Sequence, residues 1–96
     1  MIIQIIRYKS GLSRDEVERR FMERSGAYRK VPGLVQKYYV RFTGTGEYGG
    51  IYVWDSPESL DAWKAGNLSG SLADTYQVEG EAGRELAEVI LVLHED

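Results

Sequence analysis

The residues of this sequence that could do chemistry are mostly aromatic. The chain contains seven tyrosines and two tryptophans. A tryptophan can stack on a flat ligand, and a phenol can orient or deprotonate a substrate hydroxyl if its own pKa is lowered. Packing in the core or in a dimer interface is the alternative role for each ring. We expect the lining of a small-molecule pocket among seven residues: Trp54, Tyr52, Gly50, Trp63, Tyr28, Tyr8 and Tyr38.

Other kinds of site are restricted by composition. The chain has no cysteine, which excludes a thiolate nucleophile, disulfides and cysteine-bound metals. His94 is the single histidine, so a multi-histidine metal site within one chain is excluded. We expect His94 at an exposed strand end rather than in the role of a catalytic base.

The charge is divided unevenly along the chain. Residues 1–48 carry a net charge of +5 and residues 49–96 a net charge of −8. The two halves either neutralise each other within one compact domain, or they attract a second copy or an acidic ligand. The apolar start is short enough to be a strand rather than a signal peptide, and no apolar run reaches membrane-spanning length. A soluble, cytoplasmic protein is expected, without a membrane partner.

Four strands and two helices are predicted to position the aromatic residues. The strands are expected at about residues 2–9, 34–42, 48–54 and 86–94. Ser13 and Glu16 form a capping box that begins the first helix, which ends near Lys30. Ser56 followed by Pro57 begins the second helix. Residues 67–83 are interpreted as an irregular segment with one helical turn, acting as a flap or a dimer arm.

Two local patterns bear on the pocket. In strand 2, alternation separates a core-like set that includes Tyr38 from a mixed set that includes Lys37 and Tyr39. Gly49 and Gly50 inside strand 3 indicate either a bulge or a close approach of backbone or ligand. The missing side chain at Gly50 would open space for a ligand beside Trp54.

The element order βαββαβ predicts an α+β fold, a ferredoxin-like single domain over residues 1–96. Its four-stranded antiparallel sheet would carry both helices on one face. Strands 1 and 4 are apolar on both sides, so we expect the open face to be covered by a second copy, giving a homodimer through sheet faces.

RNA-recognition motifs share this topology. Their third strand begins with a basic residue, whereas here it begins Glu47-Tyr48-Gly49-Gly50 in the acidic half of the chain. Residues 9–13 also lack the Gly-rich cradle and arginine of an acylphosphatase, and there is no phosphate-binding P-loop. We therefore expect no nucleic-acid partner.

Residues 54–63 resemble the antibiotic-biosynthesis-monooxygenase group of the dimeric α+β barrel superfamily. In that group a Trp, an acidic residue and a Ser lead into helix 2, which carries a further aromatic residue. Val31-Pro32-Gly33-Leu34 is similar to the Pro-Gly turn that ends helix 1 there. Residues 49–54 are most similar to a branch of small bacterial proteins described as monooxygenases.

The resemblance implies a mostly apolar pocket between sheet and helices in each subunit of a two-sheet barrel. It implies a cofactor-independent monooxygenase that uses O₂ on a small aromatic or apolar molecule, with no cofactor. A sister group degrades haem and places a histidine near helix 2, where this chain has none. Trp54 matches the strand-3 Trp of both groups, while Gly50 and Leu60 stand where quinol-type oxygenases have Asn and Tyr. The alternative is a non-catalytic ligand-binding or structural homologue.

Overall fold

A four-stranded sheet with helices organises the chain, and a computed structural model describes residues 1–94. The strands pair antiparallel in the order β2-β3-β1-β4. This is the ferredoxin-like topology predicted from the sequence, which is thereby confirmed. The elements are β1 (Ile2–Ser10), α1 (Arg14–Tyr28), β2 (Leu34–Arg41), β3 (Tyr48–Trp54), α2 (Pro57–Lys64), α3 (Asn67–Gly70), α4 (Leu72–Thr75) and β4 (Val78–Glu88).

Both long helices begin at the predicted serine caps. The Ser13 hydroxyl accepts from the Glu16 amide at 3.3 Å, and the Ser56 hydroxyl accepts from the Ser59 amide at 3.2 Å. Each bond satisfies one of the amides that a helix start leaves without an internal partner, which stabilises a helix by about 1 kcal/mol. Within residues 1–94, no helix is long and apolar enough to cross a membrane.

The core lies between the sheet and the helices. Along β1, Gln4, Ile6 and Tyr8 are buried, whereas Ile3 and Ile5 on the opposite face are only partly buried. The buried apolar set, all at 5 % exposure or less, is Ile6, Tyr8, Val17, Tyr28, Tyr52, Trp54, Leu60, Trp63, Leu72 and Tyr76.

The last strand lies earlier in the chain than the sequence pattern predicted. β4 covers Val78–Glu88 rather than residues 86–94, and it pairs with β1 along most of its length. As an edge strand with mostly exposed side chains, it is held by backbone hydrogen bonds and tolerates charged residues. For this reason the sequence of β4 does not show the alternating apolar pattern by which a strand is usually predicted. The apolar segment that suggested a strand follows β4, and Ile90 in it is 94 % exposed.

The segment between α2 and β4 is more ordered than predicted. Two short helical turns, α3 and α4, replace the expected single turn. Leu72 and Tyr76 from this segment are buried in the core. Residues 67–76 therefore cover one end of the sheet–helix interior, and we call them the α3–α4 cover.

The glycine pair of β3 marks a close backbone approach and not a bulge. The β1–β3 register is continuous through Arg7↔Gly49 and Ile6↔Gly50. A Cβ at Gly49 would overlap the carbonyl oxygen of Ile6. Only a residue without a side chain lets β1 come this near.

Candidate functional site

The most unusual group in the interior is the amine of Lys37. In the β2–β3 pairing Lys37 lies opposite Tyr52, which places both side chains on the helix side of the sheet. The Lys37 Nζ lies 3.2 Å from the ring centre of Tyr28, 4.2 Å from that of Tyr39 and 4.5 Å from that of Tyr52. Three elements thus surround a single amine with aromatic faces.

The inward position of Lys37 corrects the predicted faces of strand 2. The β2–β3 register shifts between Leu34 and Gln36, so that Leu34 lies opposite Trp54 and Gln36 opposite Val53. The extra residue reverses the alternation from that point. Lys37 and Tyr39 therefore face the helices, while Tyr38 lies on the open face of the sheet with 55 % exposure.

Two spaces meet at the amine. A groove of about 400 Å³ opens between the end of α1 and β2, where Ser25 and Val35 line its outer part. Behind it is an inner cavity of about 10 Å³, lined in part by Tyr8, Gly50 and Tyr76. The inner space has room for about one water molecule. Both spaces are lined by the same trio of side chains, Tyr28, Lys37 and Tyr39.

Gly50 provides space for this trio. A Cβ on Gly50 would lie 2.9 Å from Cε1 of Tyr52 and 3.3 Å from Cε of Lys37. The first distance is below ordinary contact, so any larger residue would displace the ring. The space opened by Gly50 is occupied by Tyr52 and Lys37 and does not lie against Trp54.

Electrostatics favour an uncharged amine. Burial, together with the positive charge of Arg24, lowers the pKa of Lys37 to about 6. The surrounding ring faces attract an ammonium group and oppose this shift. At neutral pH the amine of Lys37 is therefore able to accept a proton.

The tyrosines behave in the opposite way. Burial raises the pKa of Tyr39 to about 12, and burial also raises the pKa values of Tyr8, Tyr52 and Tyr76. These phenols stay protonated at neutral pH and act as hydrogen-bond donors. The sequence analysis made deprotonation by a phenol conditional on a lowered pKa, and the raised pKa values of Tyr8 and Tyr52 do not meet that condition.

Several buried polar atoms near the amine have no partner among the described residues. They are the hydroxyls of Tyr28 and Tyr39 and the Nε of Arg24. Such groups cost free energy when left unpaired, by about 1–3 kcal/mol each. Tyr28 and Tyr39 line the groove, so their two hydroxyls are the feature that most clearly indicates a binding site there.

Arg24 connects α1 to the α3–α4 cover. Its Nη1 donates to the hydroxyls of Ser71 at 3.0 Å and Thr75 at 2.9 Å, and its Nη2 donates to the carbonyl of Leu68 at 2.7 Å. The other three arginines of α1, Arg14, Arg19 and Arg20, pair with glutamates of the same helix. Arg24 differs from them because its hydrogen-bond partners are all uncharged.

The two tryptophans both pack against the ring of Tyr52. Trp54 is fully buried, its Nε1 donates to Oε1 of Gln4 at 3.1 Å, and its ring is parallel to Tyr52 with centres 6.2 Å apart. It does not line the inner cavity. Trp63 packs against Tyr52 and lines a separate groove of about 450 Å³ beside Pro32.

Of the seven predicted pocket residues, four come together at the inner cavity: Tyr8, Tyr28, Gly50 and Tyr52. Lys37, Tyr39 and Arg24 were not among the predicted site residues. The spacing Lys37-x-Tyr39 is the signal that could have identified them, because residues two apart share a face of a strand. His94 is exposed and lies beyond β4, away from the cavity.

The two sequence motifs that carried the family resemblance are in contact. The Asp55 amide donates to the Gly33 carbonyl at 2.9 Å. Gly33 has a φ of 79°, and a Cβ there would overlap the Ser59 side chain. The Pro-Gly turn and the start of α2 therefore form one joint.

The described residues offer few side chains that could bind a metal ion or a haem iron. Among residues 1–94 no cluster of three or more His, Cys, Asp or Glu side chains could hold a metal ion. No histidine lines the described cavity, so a histidine-ligated haem does not fit there.

Several solved structures share this fold. The haem degrader MhuD from Mycobacterium tuberculosis is 24 % identical with a TM-score of 0.78, covering 98 % of this chain and 100 % of its own. SnoaB, a cofactor-independent oxygenase from Streptomyces nogalater, is 18 % identical with a TM-score of 0.76, covering 98 % and 97 %. A structure described as an antibiotic biosynthesis monooxygenase is 13 % identical with a TM-score of 0.73, covering 95 % and 100 %.

No protein-family model matches the sequence, and no curated protein matches it either. The structural likeness confirms the fold that the two motifs predicted. The chain has the fold of the antibiotic biosynthesis monooxygenases.

Proposed function

We propose that this protein is a cofactor-independent monooxygenase for a small aromatic or apolar molecule bound between α1 and the sheet. The observation that carries the proposal is the groove that ends at the Lys37 amine between the rings of Tyr28 and Tyr39, in a fold that SnoaB shares. A groove of about 400 Å³ is within the usual size range of small-molecule sites.

The reaction requires no bound redox group if the substrate is electron-rich. Loss of a proton from an anthrone-like ring gives an anion that transfers one electron to O₂. The resulting radical and superoxide combine to form a C–O bond, and protonation gives a hydroperoxide. Loss of water then leaves a ketone, so that one oxygen atom enters the product and the other leaves as water with two substrate hydrogens. The protein's part is to bind, orient and deprotonate the substrate.

The proposal includes a homodimer formed through the open sheet faces. Ile5 of β1 lies opposite Ile51 of β3 on that face, both partly buried, and Tyr38 adds an exposed ring. Exposed apolar area of this kind is usually covered by a partner. Leu91 and Leu93, each 84 % exposed, would add to the contact. Light scattering at micromolar concentration should report a dimer, and a monomer would contradict this part.

A second candidate function is ligand binding without catalysis. It is favoured by the small inner cavity of about 10 Å³ and by Leu60, which is buried at 2 % exposure and offers no polar group. Under this alternative the groove would hold a ligand that does not react with O₂.

Titration with anthrone, quinol and fatty-acid compounds separates the two functions. Tryptophan fluorescence would report binding, because Trp54 packs against Tyr52 at the cavity, and an oxygen electrode would report turnover. Quenching together with oxygen uptake supports the monooxygenase. Quenching without uptake supports ligand binding alone, and no quenching by any compound contradicts both.

A further inference from the structure

We infer that the groove beside Pro32, which Trp63 of α2 lines, is a second ligand site, and that it takes neutral apolar molecules carrying a carbonyl group. This goes beyond the proposed function, because no described residue lines both this groove and the Lys37 groove or the inner cavity. The proposed dimer uses the opposite face of the sheet, so it leaves the groove beside Pro32 open.

This groove has the size of a small-molecule site and mostly apolar walls. Its volume is about 450 Å³, within the range of roughly 300–1,000 Å³ that is usual for ligand pockets. Val31 and Pro32 come from the turn after α1, Ala62 and Trp63 from α2, and Leu68 from α3. A ligand in the groove would therefore be held mainly by the burial of its apolar surface.

The polar feature of the groove is an indole N–H without a partner. Trp63 is 5 % exposed, and its Nε1 is buried with no hydrogen-bond partner among the described residues. On the core side the Trp63 ring packs against the rings of Tyr52 and Trp54, with centres 5.2 Å and 5.7 Å away. The Nε1 of Trp54, by contrast, donates to Gln4. A buried donor without an acceptor costs free energy, so a ligand that brings an acceptor to Trp63 gains by satisfying it.

The lining next to Trp63 includes residues that can adjust to a ligand. Asn67 is exposed, and it belongs with Leu68 to α3, a helical turn of four residues without a side-chain cap. A helix this short depends on its surroundings for stability. We expect a small displacement of this turn to bring a ligand oxygen within reach of Nε1.

Charge at the groove favours a neutral ligand. Glu58 is the one charged residue among the described residues that line it, and α2 lies in the half of the chain with a net charge of −8. A carboxylate or another anion would be repelled by Glu58 and would lose hydration against the apolar walls. A cation would be attracted, but it offers the indole N–H no acceptor. A ketone, ester or amide brings the acceptor without the charge.

The test is an NMR titration of ¹⁵N-labelled protein with camphor, a rigid apolar ketone. The chain has two tryptophans, and Trp54, which already donates to Gln4, is the internal reference. The spectrum of Trp63→Phe assigns the two indole signals. We expect camphor to move the Trp63 indole proton to higher chemical shift, because a new hydrogen bond forms, and to leave the Trp54 signal in place. Bornane, the hydrocarbon without the camphor oxygen, should not cause this shift.

A matched pair of variants locates the bound ketone. Ala62→Phe places a ring in the groove from an exposed position of α2, so it should weaken camphor binding by about tenfold. Ala65→Phe is the control, because Ala65 is also exposed and does not line the groove, and it should bind camphor as the parent protein does. Circular dichroism and a melting curve establish that both variants fold. Lys37→Met should also bind camphor normally, since Lys37 lies outside this groove.

An unmoved Trp63 signal up to the solubility limit of camphor would overturn the inference. Equal movement of both indole signals, the same shift with bornane, or undiminished binding by Ala62→Phe would do so too. A shift that is lost in Lys37→Met would place the ketone in the other groove and would likewise overturn it. Failure of the camphor titration would leave the proposed monooxygenase standing, and failure of oxygen uptake would leave this second site standing.

Discussion

The amine of Lys37 lies 3.2 Å from the centre of the Tyr28 ring, in a place where a lysine is rarely found. The two residues come from β2 and α1, so their contact joins the sheet to the helix layer. Tyr28 belongs to the buried core, while Lys37 ends the groove that leads to it. The proposed chemistry depends on this pair.

The pH dependence of stability should reveal the amine directly. Its pKa is about 6 in the folded protein against 10.5 ordinarily, so the unfolded chain holds an extra proton between those values. The free energy of unfolding should therefore rise with pH across that window, by up to about 1.4 kcal/mol per unit. Lys37→Met should remove this rise in urea denaturation, whereas Lys64→Met should retain it. Parallel curves for the two variants would contradict a lowered pKa.

Gly50→Ala should destabilise the protein, because the new methyl would lie 2.9 Å from Cε1 of Tyr52. Overpacking of this kind costs roughly 1–3 kcal/mol. Gly26→Ala is the matched control, since nothing lies within 4 Å of its Cβ position and the residue is in α1. That change should raise stability by about 0.5–1 kcal/mol through helix propensity. Chemical denaturation measures the change in stability of both variants. Unchanged stability in Gly50→Ala would show that the space around Tyr52 and Lys37 can hold a further methyl group.

The buried bond from Trp54 to Gln4 should be measurable by a double-mutant cycle. Gln4→Leu leaves the Trp54 Nε1 without its acceptor and should cost roughly 1–3 kcal/mol. In the Trp54→Phe background the same change should cost clearly less, since no donor remains to be orphaned. Additive effects in denaturation experiments would argue that the bond contributes nothing.

Arg24→Met should loosen the α3–α4 cover, because it removes the hydrogen bonds to Leu68, Ser71 and Thr75. Amide hydrogen exchange in residues 67–76 should become faster, with little change in β1 or β3. Arg14→Met breaks only an exposed pair with Glu18, which contributes about 0–1 kcal/mol. Equal exchange in the two variants would mean that Arg24 does not hold the cover in place.

The fold was predictable where local signals agree with tertiary packing. Ser13 and Ser56 cap their helices as the sequence indicates, and β3 has the predicted limits. β4 was misplaced because an edge strand needs backbone partners more than apolar side chains. Its residues from Glu79 to Glu88 are mostly charged or small, whereas the apolar residues from Ile90 to Leu93 are exposed.

The site was predictable only in part. Tyr8, Tyr28 and Tyr52 could be nominated because aromatic residues favour buried, pocket-lining positions. Alternation from Leu34 places Tyr38 rather than Tyr39 on the core face, and the register shift after Leu34 exchanges the two faces. Lys37 was overlooked because a lysine in a strand is normally solvated, and only the tertiary structure shows the rings around it.

Oxygen consumption by chelator-treated protein with an anthrone is the most direct test of the central claim. The account predicts protein-dependent uptake of one O₂ per ketone formed, retained by Lys64→Met and strongly reduced in Lys37→Met. Uptake no faster than in buffer with every anthrone and quinol tried, despite fluorescence evidence of binding, would contradict it.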